Sequence, residues 1–481
     1  MPHDIEIWPT ESGTTKMKTQ PDVSIMRDGA EEEAILERTT RFFEFSLAYM
    51  GAWEGACVNL VFALINGGPR TLFFDMIIAV VGALAEAACM GEMASMIPVA
   101  GAQYHWTWHM APKRIKMFAT WVQGWTTWFG YIALQAARAN ILVVQLESLI
   151  SLNWTTYVTG GRKTSVLVIA CALMNVYAFK VVPWLEMISS ILHVGLFVLV
   201  LVVFVVMAPA HDASFLLEPM VASGWDQNPY ISWHLGMLTC IFSIAGIDGV
   251  IHTRRARPAV HRAMVWSIAI NGSLAIIMAG IILIYMGNAD VALRSPNPFA
   301  TIMLNITGSR AATTAIICGF FLLGFNSSLT TISSVSRLTW AWSRDGGLPA
   351  YFTSTRSIEF PFARVQRHNV PISIRFLLQL LGCVWFACLL YSRLAENITM
   401  GEWNMGKWGI PVNTFALIYK LYIIVFLPFP SVLPITASGM NYMGPVSGFV
   451  LIVVIAWWFL YGRSRWHGPN LTIMECVMTH S

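Results

Sequence analysis

Two acidic residues lie between glycines inside apolar stretches of the chain. One of them, Asp248, stands between Gly246 and Gly249 in FSIAGIDGVIHTRRAR, residues 242–257. Ionisable groups at the depth of a lipid bilayer are costly and mark solute or ion pathways. Glycine weakens a helix, so the same residues predict a break at which backbone N–H and C=O groups become free to bind a ligand.

The second acid, Glu54, lies in the stretch Gly51-Ala-Trp53-Glu54-Gly55. Transporters built from two inverted five-helix repeats interrupt their first and sixth spanning helices, and the two acids fall in the first and sixth candidate spans. The predicted solute-binding residues are Gly51, Trp53, Glu54, Gly55, Gly246, Asp248 and Gly249. The alternative is that the glycines only permit close helix packing, which leaves Asp248 unexplained.

Other polar groups in apolar segments are further candidates. Arg138 needs a counter-ion, for which Glu54 and Glu86 are the alternatives, and we expect Glu86 and Arg138 to form a gating or structural ion pair. The stretch NSSLTTISSVSR, residues 326–337, carries a run of hydroxyls that could coordinate a co-transported cation or hydrogen-bond to neighbouring helices. The candidate ion-coupling residues are Ser327, Thr330, Thr331 and Ser334.

Motifs typical of enzymes and metal sites are incomplete in this chain. GEWNMGKW, residues 401–408, has the spacing of a phosphate-binding loop, but Trp408 stands where a hydroxyl residue would bind magnesium. His105 and His109 have the spacing of a metal-binding pair and lack further ligands. We therefore expect no enzyme activity, no metal site and no cofactor.

The composition explains why these acids are unusual. Hydrophobic residues make up 56% of the chain and charged residues only 12%, whereas soluble domains contain about 25% charged residues. The 20 tryptophans are typical of the aromatic belts at bilayer interfaces. We therefore interpret the net charge of +4 as membrane topology, with lipid as a partner and no role in nucleic-acid binding.

Spanning helices need about 20 mostly apolar residues. The runs of this chain lack the alternation of a transmembrane β-barrel, which predicts an all-α polytopic membrane protein. The candidate spans lie near 43–65, 72–97, 117–148, 165–182, 184–208, 231–252, 263–287, 311–336, 372–391, 412–430 and 445–462.

The Lys and Arg clusters predict the orientation. With the N-terminus in the cytosol, the clusters at 112–116, 254–262 and 344–367 are all cytosolic, as the positive-inside rule requires. Strict alternation over the candidate spans places the basic residues after 391 on the opposite side. One further span between 371 and 411 restores the rule, so about one span is missing there.

The segment 372–411 has two possible arrangements. Either it crosses once and reverses the last two spans, or it forms a re-entrant piece that keeps the C-terminus in the cytosol. We favour the second. The expected organisation is a disordered cytosolic tail at 1–41, a transmembrane domain at 42–462 and a short cytosolic tail at 463–481.

Several long motifs resemble the fungal amino acid/choline/GABA permeases of the amino acid–polyamine–organocation superfamily. The resemblance runs from about residue 42 to 462 and rests on EMASMIPVAGAQYHW (92–106), GIDGVIH (246–252), AMVWSIAINGS (263–273), SRLTWAWSRDGGLP (336–349), and MGKWGIPVN with FPSVLPITASGMNY (405–442). It implies a LeuT-like fold with a 5+5 inverted repeat and two C-terminal helices.

The sequence departs from the family pattern in two places. After GIDGVIH the family usually has an acidic stretch, where this chain has Thr253-Arg254-Arg255-Ala256-Arg257. The family also has two spans between VPISI and MGKWG, where this chain has room for one. The first departure makes the cytosolic end of the sixth span basic and so affects the gating interactions; the second agrees with the span missing from the charge pattern.

The resemblance implies a secondary active transporter of the plasma membrane. Its expected solute is a small nitrogenous compound such as an amino acid, GABA or choline, taken up by alternating access with a proton or possibly sodium. The alternative is a membrane sensor or scaffold, or an inactive truncated permease, that has lost transport through the missing span.

Overall fold

The computed structural model describes most of the apolar part of the chain. The described residues are 50–154, 181–246, 260–288, 297–348, 375–395, 400–436 and 440–470, except 98, 100 and 402, with the further positions 156–157, 170–171, 173–174, 177, 291, 293 and 295.

Almost all regular structure in the described part is α-helical. The helices are α1 Ala52–Ile65, α2 Pro69–Met96, α3 Gln103–Met110, α4 Lys116–Asn153, α5 Val182–Met207, α6 Pro229–Ile244, α7 Val260–Tyr285, α8 Pro298–Thr307, α9 Arg310–Arg344, α10 Arg375–Leu394, α11 Gly409–Phe426 and α12 Met443–Trp457. Two short strands, β1 Asn66–Gly67 and β2 Met220–Val221, pair antiparallel. Helices satisfy their backbone hydrogen bonds internally, as lipid requires.

Seven of the described helical segments are long and apolar enough to cross a membrane. They are Pro69–Met96, Lys116–Asn153, Trp184–Met207, Arg262–Tyr285, Arg310–Arg344, Gly406–Phe426 and Met443–Arg465. All seven overlap spans predicted from sequence. The first and sixth predicted spans contain the shorter helices α1, which begins after Gly51, and α6, which ends before Gly246. Most of the span predicted at 165–182 lies outside the described residues.

Helices that are five positions apart in span order pack against each other. This holds for α1 with α6, α2 with α7, and α4 with α9. Each pair is antiparallel, as the contacts Gly55–Ser243 and Ala63–Gly236, Val80–Gly272 and Phe73–Gly280, and Gln135–Ser328 and Asn153–Thr314 show. Antiparallel pairing of equivalent helices is what an inverted repeat produces.

Two clusters define the two ends of the bundle. At the end we call the Asp345 end, the Tyr104 hydroxyl donates to Asp345 Oδ2 at 2.8 Å, and Trp466 Nε1 donates to the Asp345 carbonyl at 2.9 Å. At the opposite end, the Trp225 end, Trp225 Nε1 donates to the Pro430 carbonyl at 3.1 Å. The start of α3 and the segments after α9 and after α12 therefore meet on one side of the bundle.

The region of the missing span contains one continuous helix, α10. It lies antiparallel to α11, with Gly382 beside Lys420 and Phe386 hydrogen-bonded to Asn413. Arg393, near the end of α10, forms an ion pair with Glu92 near the Asp345 end. The favoured re-entrant arrangement is therefore wrong for 375–394, because this segment is a continuous helix packed along α11.

The position of the C-terminal segment nevertheless agrees with the charge rule. Trp466 lies at the Asp345 end, on the same side as Arg344 and Arg393. Because α10 runs toward that end, Leu348 and Arg375 lie on opposite sides of the bundle. Residues 349–374, which connect them, and most of the predicted clusters 254–262 and 344–367 lie outside the described residues.

Candidate functional site

The first spanning helix is broken at Gly51. This residue adopts a left-handed conformation, with φ of 56° and ψ of 45°, directly before α1. Such a conformation costs residues other than glycine roughly 1–2 kcal/mol. The first intrahelical bond is from Gly55 N–H to the Gly51 carbonyl, at 2.9 Å, so the N–H groups before Gly55 have no acceptor within the helix. They give the break a partial positive charge that suits an anionic group.

In the sixth span, the helix α6 ends at Ile244, directly before the glycine-containing stretch. Ala245 is extended, with φ of −70° and ψ of 148°, and Gly246 has φ of 117°. The Ala245 N–H donates to the Phe242 carbonyl at 3.2 Å, and the carbonyls that follow Phe242 lie beyond the regular hydrogen bonds of α6. These carbonyls carry partial negative charge, which suits an ammonium group. Asp248 and Gly249, the other residues predicted at this break, lie outside the described residues.

A cavity of about 100 Å³ lies between the two breaks. We call it the Glu54 cavity, and its polar or glycine lining residues include Gly51, Glu54, Gly55, Arg138, Ser243 and Ser327. These residues come from α1, α4, α6 and α9. The structure therefore brings together residues that the sequence analysis placed in separate groups: three of the predicted solute-binding residues, one ion-pair candidate and one ion-coupling candidate.

Glu54 is buried, with only 7% of its surface exposed, and it contacts a histidine that the sequence analysis did not single out. Its Oε1 atom lies 2.6 Å from His193 Nδ1 of α5. Its Oε2 atom is buried and accepts no hydrogen bond from the described residues. A carboxylate oxygen that lacks a donor in a cavity wall is suited to bind a positively charged solute.

Trp53 has a different position from the other predicted solute-binding residues. Its side chain is fully buried, and its Nε1 atom lies 3.2 Å from His193 Nδ1, the nitrogen that also contacts Glu54. Phe197 and Phe320 pack edge-on against its indole ring. These contacts give Trp53 a role in fixing α1 against α5 and α9, behind the cavity wall.

Arg138 and the hydroxyl run of α9 lie on adjacent helices. Arg138 Nη1 is 3.5 Å from the Ser327 carbonyl. The hydroxyls of Thr330, Thr331 and Ser334 each donate to a carbonyl in the preceding turn, at 3.1, 2.8 and 3.2 Å. Thr330 also lies 3.3 Å from Glu186 Oε1. Of the four ion-coupling candidates, Ser327 is thus the one that lines the Glu54 cavity.

A second cavity, of about 110 Å³, lies between the breaks and the Asp345 end. We call it the Lys420 cavity. In its wall Lys420 Nζ lies 2.7 Å from Glu86 Oε2. We expected Glu86 to pair with Arg138, but it pairs with Lys420 instead. The reason is that α11 packs on α2, which brings the Lys420 ammonium group to Glu86. Gly246 lines this second cavity.

The two cavities are separated by a thin wall. Leu134 and Ala245 line both cavities. The Glu54 cavity extends from the breaks toward the Trp225 end, along Val58 and Asn59 of α1, and the Lys420 cavity extends toward the Asp345 end. The breaks therefore lie at the level where the two cavities approach each other from opposite sides of the bundle.

His105, one of the two histidines considered for metal binding, contacts an aspartate in the structure. His105 is fully buried, and its Nε2 atom lies 3.3 Å from Asp345 Oδ2. Among the described residues, no group of three or more His, Cys, Asp and Glu side chains is placed to hold a metal ion.

Comparison with known proteins identifies the family. A family model described as amino acid permease matches residues 45–456. Amino-acid permease 2 of Neurospora crassa is 25% identical over 465 residues, which cover 89% of this chain and 85% of that protein. The choline transporter of Saccharomyces cerevisiae is 24% identical, covering 86% of this chain and 79% of its own length. The swainsonine transporter of Arthroderma benhamiae is 22% identical, covering 95% and 98%.

The broken helices, their repeat and these relatives define an integral membrane protein of the transporter class and exclude an enzyme. The chain belongs to the amino acid permease family. The predicted all-α, LeuT-like fold and the resemblance to fungal permeases are therefore confirmed.

Proposed function

We propose that the protein is a secondary active transporter of amino acids or related small amines, such as GABA or choline. The observation that carries this proposal is the Glu54 cavity, where two helix ends of opposite polarity and a buried acid meet. A zwitterionic solute needs one site for its carboxylate and another for its ammonium group. The start of α1 supplies the first and the end of α6 supplies the second.

Glu54 is the acid we assign to solute or proton binding. Its Oε2 atom has no hydrogen-bond donor among the described residues, whereas its Oε1 atom is bonded to His193. A cationic solute such as choline has no carboxylate and would rely on Glu54 and the α6 carbonyls alone. Asp248 and Gly249 remain proposed members of this site on the basis of their sequence.

We assign proton coupling to the Glu54–His193 pair. Histidine changes its charge near neutral pH, and a buried carboxylate next to it can share or lose a proton when a solute cation arrives. The hydroxyls of Ser327, Thr330, Thr331 and Ser334 provide the alternative, a sodium site. Thr330, Thr331 and Ser334 already bond within α9, which favours the proton.

We propose alternating access, and the two cavities support it. The Glu54 cavity opens toward the Trp225 end and the Lys420 cavity toward the Asp345 end, and a small movement of the half-helices would connect a solute to either side. The Asp345 end carries Lys116, Arg344, Arg463 and Arg465, so we place it in the cytosol by the positive-inside rule. We propose the plasma membrane as its location, because a solute taken up from outside the cell must cross that membrane.

Uptake of radiolabelled solutes tests the proposal. Cells that express the protein should accumulate at least one member of a panel of amino acids, GABA, choline and polyamines above control cells. Uptake should be driven by an inward proton gradient when potassium replaces sodium in the medium.

A non-transporting sensor or scaffold is the second candidate function, and one observation favours it. Leu348 and Arg375 lie on opposite sides of the bundle, and the sequence between them contains no apolar run of spanning length. A protein that reaches the cell surface, binds a solute of the panel and accumulates none would support the sensor.

A further inference from the structure

We infer that the Lys420 cavity is a second solute-binding site, specific for zwitterions, through which a solute passes after it leaves the Glu54 cavity. This inference rests on the proposed transport function and adds to it a second binding site along the route of the solute. Four helices of the bundle contribute the polar groups of the cavity: Glu86 of α2, Gln103 of α3, Gln123 and Thr127 of α4, and Lys420 of α11.

The wall of the cavity contains two side-chain oxygens that have no hydrogen-bond partner among the described residues. Gln103 and Gln123 are 4% and 0% exposed. The Oε1 atoms of both residues accept no hydrogen bond from the described part of the chain. A buried amide oxygen without a donor costs roughly 1–3 kcal/mol, so two of them in the wall of one cavity indicate a ligand that supplies donors. An ammonium group, with three N–H donors, meets this requirement.

The ion pair of the cavity provides for both charges of an amino acid. Lys420 Nζ and Glu86 Oε2 are 2.7 Å apart, and both side chains are largely buried. When a zwitterion enters, its ammonium group can replace Lys420 beside Glu86, and its carboxylate can replace Glu86 beside Lys420. Every charge keeps a partner in this exchange, so no buried charge is left uncompensated at any stage.

The same exchange excludes a simple cation. Choline carries a positive charge and no carboxylate, so it would separate the ammonium group of Lys420 from the Glu86 carboxylate and bring no anion to replace it. The described wall of the Glu54 cavity contains Arg138 but no lysine, so a cation that binds beside Glu54 there displaces no ammonium group. The second site therefore distinguishes zwitterions from cations, while the first accepts both.

The backbone is shaped to admit the lysine side chain. A Cβ atom at Gly382 of α10 would lie 2.9 Å from Lys420 Cε and 3.1 Å from its Cδ. The methylene stem of Lys420 thus occupies the space of a missing side chain on α10, and its charged end enters the cavity from there. The position of Gly382 fixes the direction from which the ammonium group reaches Glu86.

The number of bound solutes per protein tests this inference. Purified full-length protein is titrated by equilibrium dialysis with tritiated alanine, tritiated GABA and tritiated choline. We expect two molecules of the zwitterion that binds more tightly, and one molecule of choline, per protein. The uncharged double variant Glu86→Gln/Lys420→Met should bind one molecule of either solute, and leaves no unpaired charge that would unfold it.

A charge-exchanged variant provides the matched control. Glu86→Lys/Lys420→Glu keeps both charges and should retain two zwitterions per protein. One zwitterion per wild-type protein would overturn the second site while leaving the proposed transport function intact. Two zwitterions per Glu86→Gln/Lys420→Met protein, with only reduced thermal stability, would show that the pair is structural and also overturn it. Absence of binding by all three solutes would contradict the proposed function itself, and the second site with it.

Discussion

His193 and Glu54 share a single hydrogen-bonding contact at the break of the first spanning helix, with His193 Nδ1 2.6 Å from Glu54 Oε1. The same nitrogen lies 3.2 Å from Trp53 Nε1. One ring nitrogen cannot donate a proton to Glu54 and accept one from Trp53 at the same time. The location of one proton in this group therefore decides whether Trp53 is held by His193, which links protonation to the packing of the first turn of α1.

Replacing Glu54 by glutamine tests the proposed role of its carboxylate in solute and proton binding. The Glu54→Gln variant keeps the shape of the side chain but cannot carry the negative charge that binds a cation or exchanges a proton. We expect uptake to fall by about 10- to 100-fold, since a hydrogen bond to a charged group contributes roughly 1.5–3 kcal/mol. The measurement is initial uptake as a function of external pH, normalised to surface expression.

The control is Glu218→Gln, the same chemical change at an exposed residue near the Trp225 end. It should leave uptake unchanged. Wild-type uptake and pH dependence in Glu54→Gln would remove Glu54 from both solute and proton binding.

Gly55 permits close contact between the two broken helices. A Cβ atom at this position would lie 3.1 Å from Ser243 Cα of α6, so Gly55→Ala should push α1 and α6 apart. We expect a loss of about 1–3 kcal/mol in stability from overpacking, together with weaker solute binding. Thermal unfolding in detergent with and without solute measures both.

Gly448→Ala, where no described atom lies within 4 Å of the new methyl group, should be neutral. Equal behaviour of the two variants would refute the contact.

Leu134 lies in the walls of both cavities. Leu134→Trp should fill the partition between them, so that a solute still binds from the Trp225 side but fails to cross. We expect uptake to fall roughly tenfold or more, while binding to the purified protein changes by less than about 1 kcal/mol, or about fivefold. Val144→Trp, at an exposed position on the same helix, is the size-matched control. A parallel loss of binding and uptake in Leu134→Trp would place Leu134 in the binding site instead.

Asp345 joins the end of α9 to α3. Burial raises the pKa of its carboxyl group, but the neighbouring His105 and the Arg344 guanidinium outweigh this effect and hold the pKa below its usual value. Asp345→Asn removes the charge and should lower the stability by about 2–3 kcal/mol. Thermal unfolding in detergent measures the loss, and Asp226→Asn at an exposed site should show none.

The same group predicts a pH dependence with a defined sign. A depressed pKa means that the carboxylate contributes its full stabilisation above the pKa of an unfolded aspartate, about 3.9. That contribution is lost as the pH falls from this value through the lower folded-state pKa. The wild-type protein should therefore lose stability across this acidic range more steeply than Asp345→Asn. Identical slopes in both proteins would contradict the assignment.

The membrane spans could be predicted from sequence because apolar length is a local property. The long runs near 72–97, 117–148, 184–208 and 263–287 all became helices. The break in the first span was also predictable, since Gly51 and Gly55 stand on either side of an acid. The helix α9 extends to Arg344, beyond the predicted 336, because its last turns carry polar residues that pack on α4 instead of facing lipid.

The partners of the buried charges could not be predicted, because they depend on which helices pack together. Glu86 and Lys420 are far apart in sequence, and the arrangement of α11 against α2 is not visible in either segment. A usable signal was nevertheless present. His193 and Lys420 interrupt apolar runs, in SSILHVGLF and LIYKLYIIV, as Glu54 and Asp248 do, and the rule that marks intramembrane ionisable residues as functional applies to them equally.

The position of Trp466 has a consequence for the synthesis of the protein. Its indole donates to Asp345 and packs against Trp121 and Trp342, with ring centroids 5.5 and 5.7 Å apart. Translation proceeds from the N-terminus at about 5–20 residues per second, so α4 and α9 leave the ribosome well before the tryptophan that joins them. The packing at this end is therefore completed only after residue 466 has been synthesised, and a nascent chain interrupted earlier would leave Trp121 and Trp342 without this contact and open to chaperones and proteases.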